Sequence, residues 1–294
     1  MQNKQYGEKL ATGGILVALA FIFSYLESLF PVLIPIPGIK LGLANLVTVI
    51  ALYTIGEKAA FFISILRILL SGFAFSGIFP MIYGLAGGIL SFLGMVFLKQ
   101  KKCCSLYGIS MAGGALHNIG QIGIAAIVLK SSSIFTYLGI LLPAGVLTGG
   151  VIGVIASKVL QSLKGQHNQQ KIGILDGTIG LGFVLIGGLV LGGVELAKRE
   201  GEGVIVYKDA SFYQEYPLSQ DGVYRLDWGN GNYTILTIQN KTAFISESSC
   251  PDLLCVKERA ISRTQERIVC LPNRVEVFIS TAKEGENGLD AIVE

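Results

Sequence analysis

Residues 173–208 read GILDGTIGLGFVLIGGLVLGGVELAKREGEGVIVYK. The first part is an apolar run with Asp176 and Glu195 only near its ends. A helix needs about 20 such residues to cross a hydrocarbon core about 30 Å thick. The run stops at a short charged stretch, Lys198-Arg199-Glu200, and VIVYK follows with the β-branched composition of a strand. The chain therefore changes class near Ala197–Lys198, from membrane to water.

The two sides differ as that boundary requires. Residues 1–197 hold 12 Lys/Arg and 5 Asp/Glu, a net charge of +7. Residues 198–294 hold 11 Lys/Arg and 15 Asp/Glu, a net charge of −4. Over all 294 residues, 15% are charged and 51% hydrophobic, with a mean hydropathy of +0.61. Soluble domains carry about 25% charged residues, so a simple cytosolic enzyme and a disordered chain are both excluded. The overall charge of +3 is the remainder of two opposite halves and gives no argument for nucleic acid as a partner.

Working back from residue 173, six further apolar stretches lie near 11–30, 41–56, 59–77, 78–98, 107–129 and 134–160. The second is short for a span. Pro31, Pro35 and Pro37 end the first span and impose an extended link. Lys4 and Lys9 precede the first run as in a signal peptide, but no small-residue cleavage site follows, so a retained helix is expected. With the N-terminus inside, the inner segments hold Lys4, Lys9, Lys58, Lys99, Lys101, Lys102, Lys158, Lys164 and Lys171. The outer loops hold only Lys40 and Lys130. This bias places a multi-pass protein in a bacterial plasma membrane with its C-terminal domain outside the cell.

The outer part alternates like a small β domain over residues 203–280, with 281–294 as a frayed end. Strands are expected at Gly203–Lys208, Val223–Trp228, Tyr233–Ile238, Thr242–Glu247 and Arg274–Ile279, with a hairpin turn at Gly229-Asn230-Gly231-Asn232. Cys250, Cys255 and Cys270 lie here, where a disulfide is allowed. Cys255–Cys270 is the preferred pair because it joins a loop to a strand and closes the longer loop. A zinc site lacks a fourth ligand, since no His follows His167, so no metal is expected.

Ionisable groups inside spans must face the bundle interior or a wet cavity. Glu27 stands near the outer end of the first span, Arg67 within the third, and His117, Asn118 and Gln121 form HNxxQ in the fifth. His117 and Gln121 are four residues apart, on one helix face. Lys40 and Asn45 enter the second span from outside. Each set has a structural reading, as ion pair, interhelical hydrogen bond or helix cap, and a functional one, as the lining of a ligand site. Gly145-x3-Gly149-x3-Gly153 forms a close-packing ridge on the sixth span, and Gly84 and Gly88 another on the fourth.

The stretches YLE at 25–27, PGIKLGLAN at 37–45, LRILLSGFAFSG at 66–77 and GGALHNIGQ at 113–121 resemble the Gx transporter family, also called heptaprenyl diphosphate synthase component I. The resemblance covers residues 10–163 and is similar to the substrate-capture (S) components of energy-coupling-factor (ECF) transporters. It implies a membrane all-α bundle of six helices around an outward-facing pocket, within a polytopic domain 1–165. SCPDLLCV at 249–256 and IVCLPN at 268–273 resemble NusG domain II, which assigns 203–280 to that module and 166–202 to a linker and anchoring seventh helix.

The fusion implies a small-molecule binding or transport subunit serving flavin- or quinone-linked extracellular electron transfer. Glu27, Lys40, Asn45, Arg67, His117, Asn118 and Gln121 would line its site. No intrinsic cofactor is expected; the implied ligand is flavin or quinone-like. The implied partners are membrane lipid, ECF ATPase and coupling subunits, and an exported redox protein. A non-enzymatic assembly factor for surface electron transfer and an accessory of heptaprenyl diphosphate or menaquinone synthesis are the alternatives. Catalysis is not expected from the residues. No two Asp are adjacent, none lies in the first six spans to hold magnesium on a diphosphate, and no GxxxxGK[ST] loop exists for ATP.

The topology is directly testable. Reporter fusions after Lys102 and Gly165 should read cytoplasm, and one after Glu294 should read outside. A cytoplasmic signal at Glu294 would overturn the seven-span arrangement.

Overall fold

The computed structural model describes residues 2–29, 42–129, 132–164, 172–229, 231–251 and 253–281. Its helices are α1 (Gln2–Leu29), α2 (Leu43–Thr54), α3 (Glu57–Ser71), α4 (Ile78–Lys101), α5 (Leu106–Leu129), α6 (Leu138–Lys164) and α7 (Ile174–Ala197). Among the described residues, six helices are long and apolar enough to cross a membrane, and α2 is the shorter one. The chain is a multi-pass membrane protein followed by an all-β region.

At 1.5 Å per residue the 12 residues of α2 rise only about 18 Å, short of a bilayer core. It tolerates this because it is wrapped by protein: Ala44 and every residue from Leu46 to Leu52 are buried. It packs on α1, α3 and α6. Its first backbone N–H, from Leu43, donates to Glu27 at 2.7 Å. At its other end the carbonyl of Leu52 accepts from Lys99 at 3.0 Å, and Lys99 pairs with Glu57 at 3.5 Å. Polar groups at both ends thus satisfy the backbone that a short helix leaves open. Gly56, with φ of 97°, turns the chain from α2 into α3.

Glycine brings the longer helices to main-chain contact. A Cβ on Gly114 of α5 would stand 2.1 Å from the carbonyl oxygen of Gly145 on α6, and one on Gly149 would stand 2.4 Å from that of Ser110. The Gly145-Gly149-Gly153 ridge therefore lies in the α5–α6 seam. Gly120 makes a second seam with α4, its would-be Cβ 2.7 Å from the oxygen of Ala86. On α7, the fully buried Asp176 accepts from Ser105 N at 2.9 Å and from Gly173 N at 2.8 Å. One carboxylate so caps its own helix and the start of α5.

The β region has seven strands: β1 (Gly203–Lys208), β2 (Ser211–Pro217), β3 (Gly222–Gly229), β4 (Asn232–Gln239), β5 (Thr242–Ser248), β6 (Arg267–Cys270) and β7 (Val275–Ser280). A one-turn helix, α8 (Leu254–Lys257), precedes β6. The strands form two antiparallel sheets, ordered β2-β1-β7-β6 and β3-β4-β5. One core joins them: Val204, Val206 and Val277 from one sheet meet Leu236, Ile238 and Ile245 from the other. The five expected strands are present. β2 was not expected because it is an edge strand of mixed polarity, exposed along most of its length and closed by Pro217. The β3–β4 hairpin turns where expected, with Gly229 and Gly231 both at φ of 79° and Asn230 outside the described residues. Near the start of this unit, Lys198 bridges Glu195 at 2.6 Å and Glu266 at 3.4 Å, while Glu266 accepts from the backbone of Ser262 and Arg263.

Gly149→Leu should therefore disrupt the α5–α6 seam. Overpacking typically costs about 1–3 kcal/mol, and here the obstructing atoms are backbone. Gly188→Ala on α7 meets open space and should leave the melting temperature of the detergent-purified protein unchanged or slightly raised. Equal behaviour of the two variants would refute the seam.

Candidate functional site

Glu27, Asn45, Arg67, His117, Asn118 and Gln121, expected as site residues, all line one cavity of about 130 Å³ in the membrane domain. Lys40 lies outside the described residues. The cavity is enclosed by α1 to α6, with apolar wall from Ile68, Met81, Met95 and Ile152. Room of this size holds on the order of ten waters by a probe-sphere measure.

Arg67 is the centre of its electrostatics. The residue is 8% exposed. Its Nη2 donates to Asn45 Oδ1 at 3.0 Å and its Nη1 reaches Ser24 Oγ at 3.5 Å. Its Nε is buried with no hydrogen-bond partner among the described residues. No carboxylate lies within ion-pair distance of the guanidinium among the described residues. The nearby carboxylate, Glu27, is instead engaged by the N-terminus of α2, where Gly42 adopts φ of 78° and leaves Leu43 N–H pointing outward. The structural ion pair between Arg67 and Glu27 is thus absent as a direct contact. A buried cation held only by neutral oxygens keeps its charge available to an anion.

The HNxxQ face of α5 divides its work. Asn118 donates its amide to the carbonyl of Leu141 and so ties α5 to α6. His117 and Gln121 face α4, where Gly87 leaves them room: a Cβ there would stand 3.0 Å from His117 Cε1 and 2.9 Å from Gln121 Cγ. Gln121 Oε1 is buried without a hydrogen-bond partner among the described residues, an acceptor open to a ligand donor.

Sequence reasoning missed the hydroxyls of Ser71, Ser91, Ser110 and Thr148, which also line the cavity. Serine and threonine in helices bond their own backbone, as Ser71 does to Ile68 O and Thr148 to Ala144 O, so spacing alone did not mark them. In the β region the sulfur atoms of Cys250, Cys255 and Cys270 all lie within 4.8 Å of one another, and all three are free thiols. This geometry does not single out the expected Cys255–Cys270 pair.

Residues 16–159 match the family model of heptaprenyl diphosphate synthase component I, and residues 178–283 match that of NusG domain II. No curated protein matches. Among solved structures, a DUF1312 family protein from Ruminococcus gnavus is 42% identical, over 26% of this chain and 96% of that one, with a TM-score of 0.24. A DUF1312 family protein from Enterococcus faecalis is 20% identical, over 28% of this chain and 98% of that one, with a TM-score of 0.27. The Lin0431 protein from Listeria innocua is 25% identical, over 28% of this chain and 97% of that one, with a TM-score of 0.26. The chain is thus a fusion, its membrane domain belonging to the heptaprenyl diphosphate synthase component I (Gx transporter) family and its β region to the NusG domain II family.

Proposed function

We propose that the membrane domain is a substrate-binding subunit of a transport assembly, and that it captures a small polar molecule carrying an anionic or carbonyl group. The observation that carries this reading is Arg67: buried, without a carboxylate ion-pair partner among the described residues, and lining the cavity. Arg67 supplies the charge, Asn45 and Ser24 hold it in place, and Gln121 accepts a hydrogen bond from the ligand. Membership of the Gx transporter family supports an S-component-like role. Energy then comes from separate ATPase and coupling subunits, since the chain has no phosphate-binding loop of its own. Flavins and quinone precursors with an acidic or carbonyl group belong to the ligand class to be tested.

The name of the matched family favours a second reading, an accessory of prenyl diphosphate synthesis. A diphosphate is also an anion that Arg67 can hold. The chain would then bind rather than catalyse, because it lacks the paired aspartates that place magnesium on a diphosphate.

Native mass spectrometry of the protein purified in mild detergent should reveal a bound small molecule. Arg67→Ala should weaken its binding by about 30-fold or more, the effect of removing one partner from a buried charged contact worth 2–5 kcal/mol. Arg67→Lys should retain part of it, and Gln121→Ala should lose about tenfold. If Arg67→Ala keeps the protein folded and the ligand bound as before, the cavity is not the site. A flavin or quinone precursor supports transport for electron transfer, and a prenyl diphosphate supports the second reading.

A further inference from the structure

The β region carries a feature that the membrane cavity does not explain. Cys250 follows β5, Cys255 lies in α8 and Cys270 ends β6, so three separate elements deliver one sulfur each. The residues are 2%, 1% and 2% exposed. Their sulfur atoms lie within 4.8 Å of one another, with Cys250 and Cys255 at 3.4 Å. We propose that Cys250, Cys255 and Cys270 form a three-thiolate site for one soft, thiophilic monovalent cation of the Cu(I) class.

The spacing suits a metal at the centre of the triangle. A cation about 2.3 Å from each of three coplanar sulfurs sets them roughly 4.0 Å apart, √3 times the bond length. The observed 3.4 Å contact and 4.8 Å limit bracket that value. A disulfide, with its ~2.05 Å bond, would use two of these sulfurs and strand the third in the core. A trigonal centre uses all three.

The donor set selects the metal class. Among the described residues, no His, Asp or Glu joins the group. Zinc in a structural site takes four ligands, and calcium or magnesium takes oxygen, so the described residues complete neither. Thiolate sulfur selects soft cations, and Cu(I) is among them. The three cysteines belong to the apolar core of the β region, in one buried cluster with Leu226, Ile245, Ile261 and Ile268.

The frame around the sulfurs is built of hydrogen bonds rather than side-chain charge. Cys250 N donates to Ser248 Oγ at 3.3 Å, and Asn273 Nδ2 donates to the same oxygen at 3.2 Å and to Tyr233 O at 3.4 Å. Leu253 adopts φ of 50°, a left-handed conformation that non-glycine residues seldom take, and its backbone N–H reaches the Cys250 sulfur. The Cys250 thiol is pushed down to about 2, first by hydrogen bonds from Cys255 and Cys270, then by Ser248 and Leu253. Hydrogen bonding to Cys250 pushes Cys255 up to about 12, and Cys270 rises as well. A soft cation binds thiolate, so thiol protons must leave as it enters and its affinity should rise with pH.

The test uses the full chain in detergent with Cys103→Ser and Cys104→Ser, because that adjacent pair, 3.5 Å apart, could hold Cu(I) itself. The protein is reduced and titrated anaerobically with Cu(I) against a chromophoric competitor. One equivalent should bind per chain, with sulfur-to-copper absorption in the near ultraviolet. Each of Cys250→Ser, Cys255→Ser and Cys270→Ser should weaken it at least 100-fold. X-ray absorption of the loaded protein should count three sulfur ligands, a readout that needs no cysteine variant to fold. Alkylation of unreduced, denatured protein should modify all three cysteines. A disulfide among them in most chains, two sulfurs around the metal, or no binding against the competitor would each overturn the site.

Discussion

Where Gly114 meets Gly145, a side chain of even one carbon would collide with a carbonyl oxygen, so α5 and α6 touch through their main chains. Lipid tails are as apolar as leucine, and helices inside a membrane associate by close packing rather than by escape from water. That contact and the Gly120 contact with α4 fix α5 between its two neighbours. Asn118 is then close enough to α6 to donate to Leu141, and His117 and Gln121 are left facing the cavity. The glycine seams hold the cavity's walls at this distance, and Gly87 lets α4 approach α5 beside His117 and Gln121.

Within that frame the cost of burying Arg67 has only been partly offset. Neutral oxygens from Asn45 and Ser24 take two of its nitrogens, and the carboxylate that could neutralise it serves the N-terminus of α2. A helix N-terminus carries a partial positive charge and open N–H groups, so it competes with Arg67 for Glu27. The result is one cation and one occupied carboxylate lining the same space. Such an arrangement favours an incoming anion more than a closed structural ion pair would.

The β region relies on different physics. Its core is a set of alternating β-branched residues from two sheets, with Cys250, Cys255 and Cys270 set among them. Small all-β domains bury limited apolar area, and a cross-link or a metal commonly supplements the core. Polar bonds of Asn273, Ser248 and Tyr233 hold the strands on which those sulfurs converge.

The fold class was legible in the amino-acid sequence because its signals are local. Hydropathy over about 20 residues marks a span, and alternation over six marks a strand. The break near Ala197, six of the seven helices at full length and five of seven strands follow from such windows alone. So do the ionisable and amide residues of the cavity, visible inside apolar helices without coordinates, but not its Ser and Thr hydroxyls. Edge strand β2 and short β6 escaped, the first for lack of alternation and the second for lack of length. Only the tertiary structure decided which groups are satisfied. Glu27 caps α2, sixteen residues away; Asp176 caps α5, seventy-one residues away; and three cysteines from three elements share one triangle. These outcomes depend on distances between helices and strands that glycine seams and sheet pairing set, which hydropathy and alternation along the chain do not report.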